Sequence, residues 1–187
     1  YIKSEYASNE NSEDRDQTAF YLALSHDIND DINLSAGLRN DNYSDFGDAL
    51  TYSAGISLFN KANLSYNTSF TAPSYNDLYW PDSGNPDLEA EKGEMLELSF
   101  THNINTESAY IPLKLNFYTG KLENKIQWTP IEEGSWVWSP FNIGEVEIKG
   151  VEAYLQYNAS KFIFDIAGAY TESIDESTNK QLKHVPE

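Results

Sequence analysis

The stretch TAFYLALSHDINDDINLSAGLRN, residues 18–40, decides the fold. Side chains flip from face to face along a strand. Phe20, Leu22 and Leu24 therefore share one face, and Ala19, Tyr21, Ala23 and Ser25 share the other. After the turn-forming Asn29–Asp31, Ile32, Leu34, Ala36 and Leu38 again oppose Asn33, Ser35, Gly37 and Arg39. The same alternation continues through Leu50/Tyr52/Ala54/Ile56/Leu58, Leu64/Tyr66/Thr68/Phe70, Leu96/Leu98/Phe100, Ile111/Leu113/Leu115/Phe117, Val151/Ala153/Leu155/Tyr157 and Phe162/Phe164/Ile166/Tyr170. The chain is all-β, and the segments are long: a strand of about ten residues, tilted by about 45°, covers the ~25 Å apolar band of an outer membrane.

No run approaches the ~20 consecutive apolar residues of a membrane helix, and the mean hydropathy is −0.58. A barrel wall reads this way, because half of each strand faces a polar lumen. Aromatic residues at segment ends, namely Tyr52, Tyr66, Phe70, Tyr110, Tyr118, Tyr157, Phe162 and Tyr170, are expected to form interfacial girdles. A soluble β-sandwich also alternates, and a carbohydrate-binding sandwich would use aromatic loop residues as well. Strand length favours the membrane.

Thirty acidic residues against twelve basic ones give a net charge of −18, which argues against a nucleic-acid partner. Many of the acids, Glu10, Glu13, Asp87 and Glu176 among them, fall between the alternating segments. Cysteine is absent, so no disulfide framework and no thiolate metal site exists. The first ten residues lack the basic and apolar regions of a signal peptide.

Connections at Asn29–Asp31, Asn60–Asn63 and Asn158–Lys161 are tight turns and Asn103–Tyr110 is somewhat longer, whereas those at Asn11–Gln17, Asp41–Ala49, Pro73–Lys92 and Thr129–Asn142 are long. Alternating short and long connections put all turns of an antiparallel up-and-down meander on one side and all loops on the other. Glu145, Glu147 and Lys149 share a face with Val151, Ala153 and Leu155. Either that strand leaves the hydrocarbon near Gly150, or a bulge at Gly150 resets its phase. About nine strands, counting Tyr1–Ala7, leave two open edges. Open edges in hydrocarbon cost several kcal/mol for each unsatisfied backbone group. With the tail His184-Val185-Pro186-Glu187 offering no closing strand, residues 1–187 are expected to be a partial barrel domain within a larger barrel.

Residues 70–93 read FTAPSYNDLYWPDSGNPDLEAEKG. Phe70, Ala72, Pro73, Leu78, Tyr79, Gly84, Asn85, Pro86, Leu88, Glu91 and Lys92 resemble, in order, the pattern of TonB-dependent outer-membrane receptors. The Asn42-Tyr43-Ser44-Asp45-Phe46-Gly47 loop and the element from Asn142-Ile143-Gly144 to Gly150-Val151-Glu152 agree with it, and Ala90 stands where the family usually has Pro. The resemblance implies a plugged barrel of about 22 strands in the bacterial outer membrane. It implies lipid and lipopolysaccharide around the wall, and as partners an own plug domain and TonB, both outside this chain. Within the family the pattern is most similar to the vitamin B12 (cobalamin) receptors; haem and ferric-siderophore receptors share most of it. A passive porin-like barrel would lack the loop motif.

Tyr79, Trp80, Asp82, Trp136, Trp138 and Phe141 cluster in two long connections and suit a flat ring ligand such as a corrin, haem or a catecholate. Pro73, Pro81 and Pro86 stiffen the loop, and Gly84-Asn85 can supply a turn. Asp41, Asp45 and Asp48 are candidate oxygen ligands for Ca²⁺ in an extracellular loop, although their spacing is not that of an EF-hand; no cofactor is required. His26, His102 and His184 converge with no nucleophile, and no enzyme is expected.

Overall fold

A computed structural model describes residues 2–7, 12–45 and 47–182. Tyr1, Glu10, Phe46 and the His184–Glu187 tail lie outside the described residues, and the side chain of Glu13 is not described. The strands are β1 (Ile2–Ala7), β2 (Ser12–Asn29), β3 (Ile32–Tyr43), β4 (Gly47–Leu58), β5 (Ala62–Thr71), β6 (Glu91–Asn105), β7 (Ala109–Pro130), β8 (Trp138–Ala159), β9 (Phe162–Asp175) and the two-residue β10 (Lys180–Gln181). They form one antiparallel sheet in strict sequence order, an up-and-down wall. A short helix, α1 (Tyr75–Tyr79), lies in the connection between β5 and β6.

Register aligns the apolar sets across the sheet. His26, Leu34, Ile56, Leu64, Leu98, Phe117, Val151 and Tyr170 are successive cross-strand partners from β2 to β9. From Leu34 onward they lie on one outward apolar face, where Phe20, Leu22, Leu24, Phe162, Ile166 and Tyr170 are all more than half exposed or nearly so. Among the described residues only Ala49, Pro73, Leu78, Leu88, Pro140 and Val146 are buried apolar side chains, so the sheet has no water-excluding core of its own. An apolar face of this extent needs a hydrocarbon environment. Among the described residues no helix is long and apolar enough to cross a membrane, a finding that does not bear on strands.

The boundary of the apolar band can be read from neighbouring rows. Leu24, Ala36, Ala54, Tyr66 and Leu96 are followed in their row by Thr119, Lys149 and Glu172, so apolar character ends at β6. One row nearer the loops, Leu22, Leu38 and Tyr52 are apolar and Glu94, Lys121 and Glu147 follow, so it ends at β4. A rise of two residues, about 6.6 Å, thus shifts the boundary by two strands, about 9.6 Å, which gives a strand tilt of about 35°. That is the tilt at which membrane barrels close, about 35–45°.

The connections differ from expectation in three places. Asn11–Gln17 reads as a loop in the sequence, but from Ser12 it belongs to β2 and pairs with β1. Asp41–Ala49 contracts to a tight hairpin in which Tyr43 pairs with Gly47, whose φ of 79° favours glycine. Thr129–Asn142 shortens to residues 131–137. Beyond the membrane boundary a strand lies in water and needs no alternation, so polar stretches such as Ser12–Gln17 read as loops while pairing continues. The strict short-and-long alternation therefore fails, and Pro73–Lys92 remains the longest connection.

No bulge interrupts Gly150: β8 keeps one register with β7 from Tyr110↔Asn158 to Pro130↔Trp138 and another with β9 throughout. Glu145, Glu147 and Lys149 are thus the part of β8 beyond the hydrocarbon, with Lys149 paired to Glu147 and Glu172. Two expected girdle residues also move. Tyr118 and Tyr110 lie on the polar face, Tyr118 packed against Gly150 and bonded to Thr171, Tyr110 donating to Asn103.

Leu98→Arg places a charge on the outward face at mid-band and is expected to destabilise the full-length protein by about 2–4 kcal/mol in urea unfolding from lipid vesicles. Ser99→Asn, on the polar face of the same strand, shifts it by less than about 0.5 kcal/mol.

Candidate functional site

Beyond Lys92↔Glu123 the β6 ladder ends, while β7 and β8 continue as a hairpin to the turn at residues 131–137. That hairpin runs about 45 Å of strand past Phe117. The Pro73–Ala90 connection packs against it, and the sequence of the connection explains how it holds its shape.

Pro73 is buried and ends β5 without needing a donor partner. Ser74 caps α1 through a capping box: its hydroxyl accepts from Asp77 N, and Asp77 Oδ2 accepts from Ser74 N at 2.9 Å. Leu78 and Leu88, each 5% exposed, form the loop's small apolar centre. At Gly84 an added Cβ would lie 2.6 Å from Leu78 O and Trp80 N, so only glycine fits the close approach.

Several polar ties bind this loop to the hairpin. Trp128 Nε1 donates to Asp77 Oδ1 at 2.8 Å. Asn85 Nδ2 donates to Pro140 O at 3.1 Å, and Ser139 Oγ to Ser83 O at 2.7 Å. Asn142 is the hub: its Oδ1 accepts from Glu89 N, and its Nδ2 donates to Glu89 O and Asn124 O. At the other end, Arg15 Nη1 donates to Pro73 O at 3.1 Å, and the guanidinium lies 5.1 Å from the centre of the Tyr75 ring. The loop motif is a brace between β2 and the β7–β8 hairpin.

Trp80 and Trp138 are each about half exposed, on segments joined by the Ser139–Ser83 bond. Trp136, in the hairpin turn, is 96% exposed. Asp82 is exposed at a φ of 61°. Tyr79 is half-buried against Tyr75, ring centres 6.2 Å apart. Phe141 alternates with Asn142, whose side chain faces the loop, so it points the other way. Among the described residues no ring contact joins Trp80, Trp136, Trp138 and Phe141.

The three aspartates considered for Ca²⁺ are not brought together. Asp41 is bonded by Arg39 Nε at 2.6 Å and by Gln17 Nε2 at 2.7 Å, Asp45 pairs with Arg15 at 2.7 Å, and Asp48 accepts from Asn42. Among the described residues no group of three or more acidic or histidine side chains forms a metal-ligand set. The Arg39 bond, with help from Gln17, holds the Asp41 carboxyl below its ordinary pKa although burial opposes it. Trp128 and Arg15 carry no mark in the sequence that distinguishes them as structural anchors. Asn142 does carry one, the Asn-x-Gly element.

Known proteins share this architecture. The family model "TonB dependent receptor-like, beta-barrel" matches residues 2–187. The chain belongs to this TonB-dependent receptor β-barrel family. It is 30% identical over 187 residues to the vitamin B12 transporter BtuB of Photobacterium profundum, covering 96% of this chain and 29% of that protein. It is 27% identical to the vitamin B12 transporter BtuB of Vibrio vulnificus (strain YJ016), covering 94% of this chain and 28% of that protein. The chain thus spans less than a third of the length of these curated relatives. Among solved structures, the copper transporter OprC superposes with a TM-score of 0.75 at 14% identity, covering 92% of this chain and 31% of that one. The siderophore receptor PirA from Pseudomonas aeruginosa gives 0.69 at 18%, covering 88% and 34%. A ferric enterobactin receptor (PfeA) from Pseudomonas aeruginosa in complex with enterobactin gives 0.72 at 19%, covering 91% and 29%. These likenesses establish the shared barrel-wall fold, and the relatives are transporters and receptors, not enzymes.

Asn142→Ala removes three bonds and is expected to expose the Pro73–Ala90 loop to limited proteolysis, at a cost of about 1–3 kcal/mol. Because the Asp41 pKa is lowered in the fold, its stabilising contribution is complete above the ordinary carboxylate value of about 4 and is lost as pH falls through the lower folded value. Asp41→Asn is expected to flatten that acid-side decline in a pH series of urea midpoints.

Proposed function

We propose that this chain is part of the barrel wall of an outer-membrane receptor that imports a scarce nutrient, best read as cobalamin, with energy supplied through TonB. In this reading the wall closes with further strands into a larger barrel around a plug domain, and the braced loop side faces the cell exterior. The observation that carries cobalamin is the 30% identity to a vitamin B12 transporter over almost the entire chain. The iron-chelate receptors match at 18–19% and speak for the fold alone.

The geometry supports a receptor over a passive pore. A passive pore gains nothing from holding a long connection rigid, whereas a binding rim does, because ordering it beforehand lowers the entropic cost of capture. Trp80, Asp82, Trp136 and Trp138 are the contacts we assign to ligand, with Tyr79, packed against Tyr75, beside them in the loop. Phe141 belongs to the same rim on its outer side. A planar macrocycle such as a corrin would rest against the exposed indoles. Asp41, Asp45 and Asp48, already engaged with separate partners, do not form a Ca²⁺ cage in this arrangement.

The test is titration of the detergent-purified full-length receptor with cyanocobalamin, haem and ferric siderophores, read by tryptophan fluorescence. Saturable quenching by cyanocobalamin alone is expected, and the double variant Trp80→Ala/Trp138→Ala is expected to weaken it at least about tenfold. Saturation by an iron chelate alone would replace the substrate and keep the receptor. Absence of saturable binding to every compound, with ion conductance across a planar bilayer, would replace the receptor by a porin.

A further inference from the structure

Above the hydrocarbon boundary the wall parts between β4 and β5. Their ladder stops at Ser53↔Asn67, although β4 continues to Gly47 and β5 to Thr71. Thr68 Oγ1 takes the place of the next rung, accepting from Tyr52 N at 2.8 Å and donating to Tyr52 O at 3.2 Å. Beyond it a cavity of about 340 Å³ lies at the parting, bordered by Asp48, Leu50, Ser69 and Phe70 among others. The loop side of the sheet is thereby divided in two. On one side stand the upper ends of β2, β3 and β4. On the other stand β5, the Pro73–Ala90 connection and the β7–β8 hairpin, which carry every residue we assign to ligand.

Two contacts reach across the parting. The ring of Phe70 on β5 lies 5.8 Å from that of Tyr43 on β3. The other contact is Arg15, on β2, three strands away from β5 in the sheet. Its Nε donates to Asp45 in the β3–β4 turn at 2.7 Å, and its Nη1 donates to Pro73 O, past the end of β5, at 3.1 Å. Its guanidinium lies 6.0 Å from the centre of the Tyr43 ring and 5.1 Å from that of Tyr75 in α1. The Arg15 side chain is only 11% exposed. A guanidinium so far withdrawn from water needs partners, and this one has a carboxylate, a carbonyl and two ring faces. A lysine ammonium has neither the fork nor the plane to engage all of them.

From Tyr75 the path to the ligand side is short. Tyr75 packs against Tyr79, ring centres 6.2 Å apart, and Trp80 follows directly. Trp80 N donates to Asn76 O at 3.2 Å, and Trp80 O accepts from Ser83 N at 3.1 Å and from Gly84 N at 2.8 Å. The main chain of Trp80 is therefore fixed to α1. Arg15 holds α1 to the β2 side through Tyr75, and Trp128 holds it to β7 through Asp77.

We propose that Arg15 is a positioning residue for nutrient capture: it clasps the parted wall and sets where Trp80 stands relative to the β2–β4 side of the barrel mouth. The role in capture rests on the reading of the chain as part of a nutrient receptor. The clasp itself rests on the geometry alone and is independent of which nutrient is carried.

The experiment uses the full-length receptor in detergent, with nitroxide labels at Asp48→Cys and Asp87→Cys, exposed positions on the two sides of the parting. Double electron–electron resonance reads the distance between them without ligand. The protein with Arg15 is expected to give one narrow distribution, and Arg15→Ala a broad one. Arg15→Lys, which keeps the charge and loses the fork, should be broad as well. In stopped-flow fluorescence with cyanocobalamin on unlabelled protein, Arg15→Ala should lower the association rate and the affinity about tenfold, since only molecules with the loop in place are competent to bind. Trp80→Ala should instead raise the dissociation rate. Lys121→Ala, which removes an ion pair on the outward face, should leave both readouts unchanged. If Arg15→Ala fails to give the heat-modifiable gel band of a folded barrel, Asp45→Asn, which weakens the clasp at its other end, carries the test. A narrow distribution in the folded variants would overturn the clasp whatever the nutrient. A broad distribution with an unchanged association rate would overturn the positioning role. A wild type that binds an iron chelate and no cyanocobalamin would overturn cobalamin only, and the rates are then compared with that chelate. A wild type that binds neither would overturn the receptor reading, while the label distances still decide the clasp.

Discussion

Hydrocarbon offers no partner to a backbone N–H or C=O, and the wall is arranged around that constraint. Along the row from Leu34 on β3 to Tyr170 on β9 each strand pairs with the next, and every rung brings another apolar or aromatic side chain to the outward face. The place where the long strands β4 and β5 part lies at the level where Glu94 and Lys121 replace apolar residues. There water or a side chain such as Thr68 can satisfy the freed groups. The end of the β4–β5 ladder and the change from apolar to charged side chains therefore mark the same membrane surface independently.

Above that surface the constraint is relaxed and different forces set the structure. The β7–β8 hairpin rises without hydrophobic alternation, held by its own ladder. The Pro73–Ala90 connection braces it through Trp128, Asn85 and Asn142. Few of these groups are deeply buried, so each bond contributes modestly, about 1 kcal/mol. Their effect comes from number and placement: tied at both ends, the loop holds Trp80 against the hairpin whose strand β8 begins at Trp138.

Several motif residues that mark the family are therefore explained by architecture and not by ligand contact. Gly84 permits a backbone approach, Asn85 reaches the hairpin, and Pro73 and Leu88 are buried. Trp136, 96% exposed in the hairpin turn, lies outside this bracing set.

The sequence by itself determined the outward face, the strand count to within one, the wall topology and the family, because period-2 alternation and a motif are local in the chain. It also marked Pro73–Lys92 among the long connections. Tertiary structure alone decided the rest. Ser12–Gln17 and Asp41–Tyr43 became strand because pairing with a neighbour, invisible in a polar stretch, sets their conformation. The three aspartates went to separate partners. Each of these depends on which residues register and loop closure bring together across long separations, and such contacts leave no periodic trace in a single chain.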